Sequence, residues 1–72
     1  MAVVEASITG TVWTIEVAIG DAIEIGQTVV VLESMKMEMP VESEIAGIVA
    51  EILCAEGDAV DEGAPLVRLD VG

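Results

Sequence analysis

The sequence has no histidine, phenylalanine or tyrosine, one cysteine (Cys54) and one tryptophan (Trp13). Without histidine there is no Ser-His-Asp or Cys-His catalytic pair, and a single cysteine leaves neither an intramolecular disulfide nor a metal site of the usual Cys/His kind. Cys54 is expected to be a small buried hydrophobe. The chain is 54% hydrophobic, so with almost no aromatics its core has to be built from Val, Ile, Leu, Met and Ala, which favours small, tightly layered sheets. Trp13 is expected as a partly exposed cover over a sheet edge.

Positive charge is equally scarce. Lys36 and Arg68 are the only cationic side chains against 14 Asp and Glu, giving a formal net charge of −12. That balance excludes ordinary nucleic-acid binding, which relies on cations neutralising phosphates. It suits solubility and attraction to basic partner surfaces. No apolar run approaches the roughly 18 residues of a membrane helix, and residues 1–6 lack the basic start and apolar stretch of a signal peptide. No membrane association and a cytoplasmic location are therefore expected. With 72 residues, the reading is one small domain, 1–72, near the size at which a single core only just supports folding.

What is present is an internal repeat. Sliding the chain by 37 positions aligns Ile8 with Ile45, Gly10 with Gly47, Val12 with Val49, Ile15 with Ile52 and Ala18 with Ala55. It continues with Gly20-Asp21-Ala22 on Gly57-Asp58-Ala59, Gly26 on Gly63, Val30 on Val67 and Leu32 on Leu69, eleven identities across Ser7 to Glu33. Each unit reads as strand, Gly-Asp turn, Gly turn, strand, with the aspartate side chain capping its turn. Val12 and Ile15 are both shared although their parity differs, which predicts a bulge near Trp13 and Thr14, matched at Ala50 and Glu51. No stretch has helical periodicity with caps. The fold expected is all-β, two small antiparallel sheets packed face to face and related by a pseudo-twofold.

Between the repeated units lies Glu33-Ser34-Met35-Lys36-Met37-Glu38. Residues 28–32 are β-branched and aliphatic and residues 39–41 are again apolar, so two strands joined by a tight turn are expected. With Met35 and Lys36 as the turn, Val30 faces Val41 and Leu32 faces Met39 on one apolar face; on the other, Val31 meets Pro40, Val29 meets Glu42 and Glu33 meets Glu38. Pro40 then falls at a non-hydrogen-bonded pair, where its missing N–H leaves that ladder intact. Two features conflict with stability alone. A two-residue hairpin normally takes Asn-Gly or Asp-Gly because positive φ is required, and Glu33 opposite Glu38 sets like charges together. Local rules broken at one place mark a functional site, and the chain's one lysine at that place reads as a reactive amine.

The Glu-Ser-Met-Lys-Met-Glu stretch, with the glycine and apolar framework on both sides, resembles the attachment motif of biotinyl domains, the biotin carboxyl carrier modules, and among them the small stand-alone biotin/lipoyl attachment proteins of bacteria. Ser34 replaces the family's more usual alanine. The resemblance covers almost the whole chain. It implies a flattened eight-stranded barrel-sandwich hybrid of two four-stranded halves; the five residues between Gly20 and Gly26 leave no room for the thumb insertion of some carriers. It further implies biotin carried covalently on Lys36, flanked by Met35 and Met37, with Glu33 in ligase recognition. An aqueous lysine amine is neutral in only about one molecule in a few thousand at pH 7, so acylation needs an activated donor and a separate enzyme. By resemblance that enzyme is biotin protein ligase, and the later partners are a biotin carboxylase and a carboxyltransferase between which carboxyl groups are shuttled. The chain is then a carrier with no catalytic residues of its own. The rivals are a lipoyl-type acyl carrier, which typically has Asp before and Ala after the lysine, and an unmodified structural barrel-sandwich module in which the methionines are core filler. Finally, the repeat maps Lys36 just beyond either end of the chain, so the chain ends are expected close together and opposite Lys36.

Overall fold

A computed structural model describes residues 2–71. The elements are β1 (Ala2–Glu5), β2 (Gly10–Ile15), β3 (Ala22–Ile23), β4 (Thr28–Ser34), β5 (Met37–Glu42), β6 (Gly47–Ile52), β7 (Ala59–Val60) and β8 (Pro65–Asp70), with no helix among the described residues. They form two antiparallel four-stranded sheets, ordered β5-β4-β2-β7 and β1-β8-β6-β3. This is the barrel-sandwich hybrid that the repeat and the resemblance lead one to expect.

The offset of 37 carries one sheet onto the other strand by strand: β2 onto β6, β3 onto β7, β4 onto β8, and β1 onto β5. The equivalence extends to single hydrogen bonds. The Gly20 amide donates to the Val49 carbonyl and the Gly57 amide to the Val12 carbonyl, each at 2.8 Å. Asp21 Oδ2 accepts from the Ala18 amide and Asp58 Oδ2 from the Ala55 amide, each at 2.9 Å. Gly20 and Gly57 hold φ of 95° and 94°, a left-handed conformation open to glycine at little cost. The aspartate caps read from sequence are therefore present in both halves.

Sheet register shows where alternation breaks. The expected bulge lies between Val12 and Thr14, and its mate between Val49 and Glu51. A second pair was not legible. Thr28, not Val29, pairs with Glu42, because a shift falls between Thr28 and Val30; its mate pairs Pro65 with Glu5. The expected Val29–Glu42 pairing is thus corrected. Burial supplies the reason: Val29 and Val30 are both fully buried, as are Leu66 and Val67, and a bulge lets two consecutive apolar side chains turn to the same core.

The buried core consists of Val, Leu, Ile and Ala. No methionine takes part among the described residues, so the expectation of methionine as core material fails; Met35, Met37 and Met39 are all exposed. Trp13 is about half exposed, at 49%, but β2 lies between β4 and β7, so it covers an interior strand rather than an edge. Ser43, buried at 2%, was missed; its hydroxyl donates to the Ile45 carbonyl at 2.6 Å within the link from β5 to β6.

The links orient the molecule, which measures 36 × 19 × 18 Å. β5 runs away from the Lys36 turn, and residues 43–46 then deliver the chain to Gly47 at the start of β6. Val49 pairs with Leu69, and Leu69 pairs with Ala2. The described chain ends are therefore adjacent and lie at the end of the sandwich away from Lys36, as the repeat implies; Met1 and Gly72 lie outside the described residues.

Gly10 lets β2 reach the base of the β4–β5 hairpin. A Cβ there would sit 2.6 Å from the Glu33 carbonyl oxygen, and one at its mate Gly47 would sit 2.9 Å from the Asp70 carbonyl oxygen. Both obstacles are backbone, which cannot move aside as a side-chain tip can. Gly10→Ala is expected to destabilise the protein by roughly 1–3 kcal/mol, the usual cost of overpacking. Urea denaturation checks this, and an unchanged midpoint would show that β2 yields at this contact.

Candidate functional site

The hairpin is built as the residue pattern requires. Ser34 pairs with Met37, Glu33 with Glu38, Leu32 with Met39, Val31 with Pro40 and Val30 with Val41, leaving Met35 and Lys36 as the two-residue turn. Their φ values are 53° and 65°, and no other non-glycine residue among those described has positive φ. Positive φ at both central positions is the signature of a type I′ turn, whose twist matches the flanking strands. For L-residues with a Cβ the conformation costs about 1–2 kcal/mol each. This turn is where the backbone strain of the chain is concentrated, and the chain's one lysine sits in it.

The base of the hairpin is anchored. Val30 and Leu32 are fully buried and Val41 nearly so, tying both strands to the core directly below the tip. The apex is the reverse: Met35 is 92% exposed and Met37 61%, falling to 36% at Met39. Lys36 is exposed and makes no ion pair among the described residues. The other cation, Arg68, lies 3.0 Å from Glu51 across β6–β8, a half-exposed pair of the kind worth well under about 1 kcal/mol. Glu33 and Glu38, both exposed, face each other beneath the turn. The four residues singled out by sequence, Glu33, Met35, Lys36 and Met37, are thus gathered on one projection.

A group joined by an amide to a lysine requires an amine that a second protein can reach and a backbone stiff enough to carry the load. Both conditions are met. Lys36 stands exposed at the apex of the turn, while two residues below Ser34 the strand is fully buried at Leu32. The exposed thioethers on either side also answer the core-filler reading: these side chains have little packing to lose.

Cys54 offers no competing site. It is half-buried, packs against the core as the mate of the buried Val17, and its thiol is raised above the ordinary value by burial and, less, by the nearby Asp58 carboxylate. A raised thiol favours the protonated, unreactive form. The stabilisation tied to that proton is full below the ordinary thiol value and is lost as pH rises through the raised one. Iodoacetamide is therefore expected to alkylate Cys54 of the folded protein at pH 8 more slowly than in the urea-unfolded chain; equal rates would mean that the thiol is not shielded.

Comparison with known proteins agrees with this geometry. The biotin/lipoyl family, described as "Biotin-requiring enzyme", matches residues 2–69. The chain belongs to this family. Over 41 residues it is 47% identical to a biotin/lipoyl attachment protein of Bacillus subtilis (strain 168), covering 57% of this chain and 56% of that one. Over 42 residues it is 45% identical to a putative urea carboxylase of Emericella nidulans, covering 58% of this chain and 3% of the relative. The match thus spans about half the length of the first relative and a small fraction of the second. Among solved structures, urea carboxylase of Kluyveromyces lactis superposes with a TM-score of 0.89 at 33% identity, over 96% of this chain and 6% of that one. A single-chain, multi-domain long-chain acyl-CoA carboxylase gives 0.84 at 30% identity, over 92% and 6%. The chain is a biotinyl domain by family and by fold. No helix among the described residues is long and apolar enough to cross a membrane.

If the turn keeps an unfavourable residue for the sake of its amine, removing that amine should stabilise the fold. Lys36→Gly is expected to raise stability by about 1 kcal/mol, since glycine adopts the left-handed conformation freely. A lower urea midpoint than wild type would mean that Lys36 supports the hairpin.

Proposed function

We propose that the chain, read as one biotinyl domain over residues 1–72, is a carboxyl carrier in which biotin is attached by an amide to Nζ of Lys36. The observation that carries this reading is the chain's one lysine, without an ion pair among the described residues, held at positive φ on the tip of an anchored hairpin, in a chain of the biotin/lipoyl family. Bound biotin supplies a ureido nitrogen able to carry a carboxyl group. The protein's own contribution is positional. Core-anchored β4 and β5 fix the root of the arm, and the exposed apex leaves its length free, raising the local concentration of the carried group at sites on other polypeptides.

Roles follow for the neighbours. Met35 and Met37 present the lysine to biotin protein ligase through an apolar collar, and Glu33, exposed three residues before the lysine, is a contact for that ligase. A biotin carboxylase and a carboxyltransferase are the partners between which the arm moves. Its likeness to urea carboxylases and to a long-chain acyl-CoA carboxylase supports partnership with carboxylase components without choosing an acceptor for this chain. The acidic surface, −12 overall, suits docking on basic faces of such partners.

Biotin protein ligase, ATP and biotin should add one biotinyl group to the protein, located at Lys36 by peptide mass mapping and lost in Lys36→Arg. Lipoate in place of biotin, or no modification by an active ligase, would overturn the reading. Because Met35 and Met37 are exposed, Met35→Asp combined with Met37→Ala should change stability by less than about 1 kcal/mol while lowering biotin incorporation at least tenfold. Unfolding of that variant would show that the methionines hold the fold.

A further inference from the structure

The sandwich is not closed on all sides. β1 is an edge strand of one sheet and β5 of the other, and they are also mates under the offset of 37. Between them runs an open groove of about 770 Å³ lined by residues 2–7 of one edge and 40–45 of the other, with Ile25 and Gly26. Those two segments are equivalent in the repeat, so the groove lies on the pseudo-twofold itself. No backbone hydrogen bond joins its two sides among the described residues.

The two edges differ in one decisive way. In the hairpin, Ser34–Met37 closes the turn as a hydrogen-bonded pair, so Val31–Pro40, three pairs below, is non-hydrogen-bonded and the nitrogen of Pro40 faces outward. Val3 is the mate of Pro40 and pairs with Arg68, as Pro40 pairs with Val31. It therefore turns its N–H and C=O outward too, but its N–H is a donor and that of Pro40 is missing. Proline at that position is a standard way of blunting an edge. β5 is closed to strand addition and β1 is open.

The groove's chemistry states what it would take. Its carboxylates, Glu5, Glu42 and Glu44, are all exposed, and no lysine or arginine lines it. Val3 at 44% and Ile25 at 72% exposure add apolar surface. We propose that β1 accepts an extended partner segment of alternating basic and apolar residues, which adds as a strand through the backbone of Val3, lays its apolar side chains against Val3 and Ile25, and sets its cations among Glu5, Glu42 and Glu44. Strand addition takes affinity from main-chain bonds and selectivity from alternate side chains, and the charge balance selects a basic segment over an acidic one. This site is independent of the Lys36 turn, which stands at the end of the sandwich away from Ala2 and Leu69.

The experiment titrates the ¹⁵N-labelled protein with acetyl-Val-Lys-Val-Lys-Val-Lys-amide and follows backbone amide shifts. Saturable shifts are expected along Ala2–Glu5, with Val3→Pro weakening binding at least tenfold and Lys36→Arg changing it less than twofold. Pro40→Val is expected to extend the perturbed set to Met37–Glu42. If Val3→Pro fails to fold, the same peptide N-methylated at its lysines serves against the wild-type protein and should lose at least tenfold. Absence of saturable shifts, shifts confined to the Lys36 turn, equal binding of acetyl-Val-Glu-Val-Glu-Val-Glu-amide, or indifference to the blocked donor would each overturn the proposal. Because the peptide titration does not involve biotin, its failure leaves the carrier reading intact, and failure of biotinylation leaves the groove intact.

Discussion

The structure depends on filling the space between two sheets, among the described residues, with thirteen small aliphatic side chains and no aromatic ring. Sheets stack about 10 Å apart, and a layer of Val, Leu, Ile and Ala fills that gap only if nearly every strand position that could turn inward does so. Strict alternation would waste half of β4 and β8. The bulges at Val29 and Leu66 avoid this by turning Val29-Val30 and Leu66-Val67 to the core as consecutive pairs. Those at Trp13 and Ala50 do the complementary thing on β2 and β6, resetting parity so that Val12 and Val49 are buried while Trp13 is left half outside.

The same tight core explains how an unfavourable turn survives. Two residues with a Cβ in left-handed conformation, above a pair of opposed glutamates, would not close an isolated hairpin in water. Here closure is imposed from below, by Leu32, Val30 and Val41 within the core and by β2 approaching over Gly10. Strain of this kind persists where the surroundings over-determine it. The surplus of packing at the base maintains an exposed amine at the apex, where asparagine and glycine would serve folding better.

Much of this was legible in the residues. The repeat exposed the architecture because identities fall where backbone geometry is demanding, at Gly20 and Gly57 with their capping aspartates, and the apolar pattern around Met35-Lys36 set the hairpin register down to the opposition of Glu33 and Glu38. What escaped has physical causes. The bulge at Val29 is silent in a run of three valines, where any parity looks apolar; its mate, Leu66-Val67, carried the same ambiguity. Methionine was assigned to the core by composition, although the positions of Met35, Met37 and Met39 on the projecting hairpin place them outside it. Ser43 aligns with Ala6, so its burial in a link segment had a precedent in the repeat, but the self-contained bond to the Ile45 carbonyl that satisfies it has no one-dimensional trace.

The pairing of Ala2 with Leu69 reproduces that of Met39 with Leu32, residue for residue under the offset. Geometrically, then, the molecule has two equivalent positions, one closed by the turn of Met35 and Lys36 and the other where Ala2 pairs with Leu69. Joining β8 to β1 through a copy of the Ser34-Met35-Lys36-Met37 segment would make the chain a closed ring with an anchored amine at each pole. Cutting that ring at either turn would give a linear protein with the same sandwich. A repeat sandwich of this form is topologically indifferent to which of its two poles a turn bridges, and the Met35-Lys36 turn is what distinguishes the pole that presents an amine.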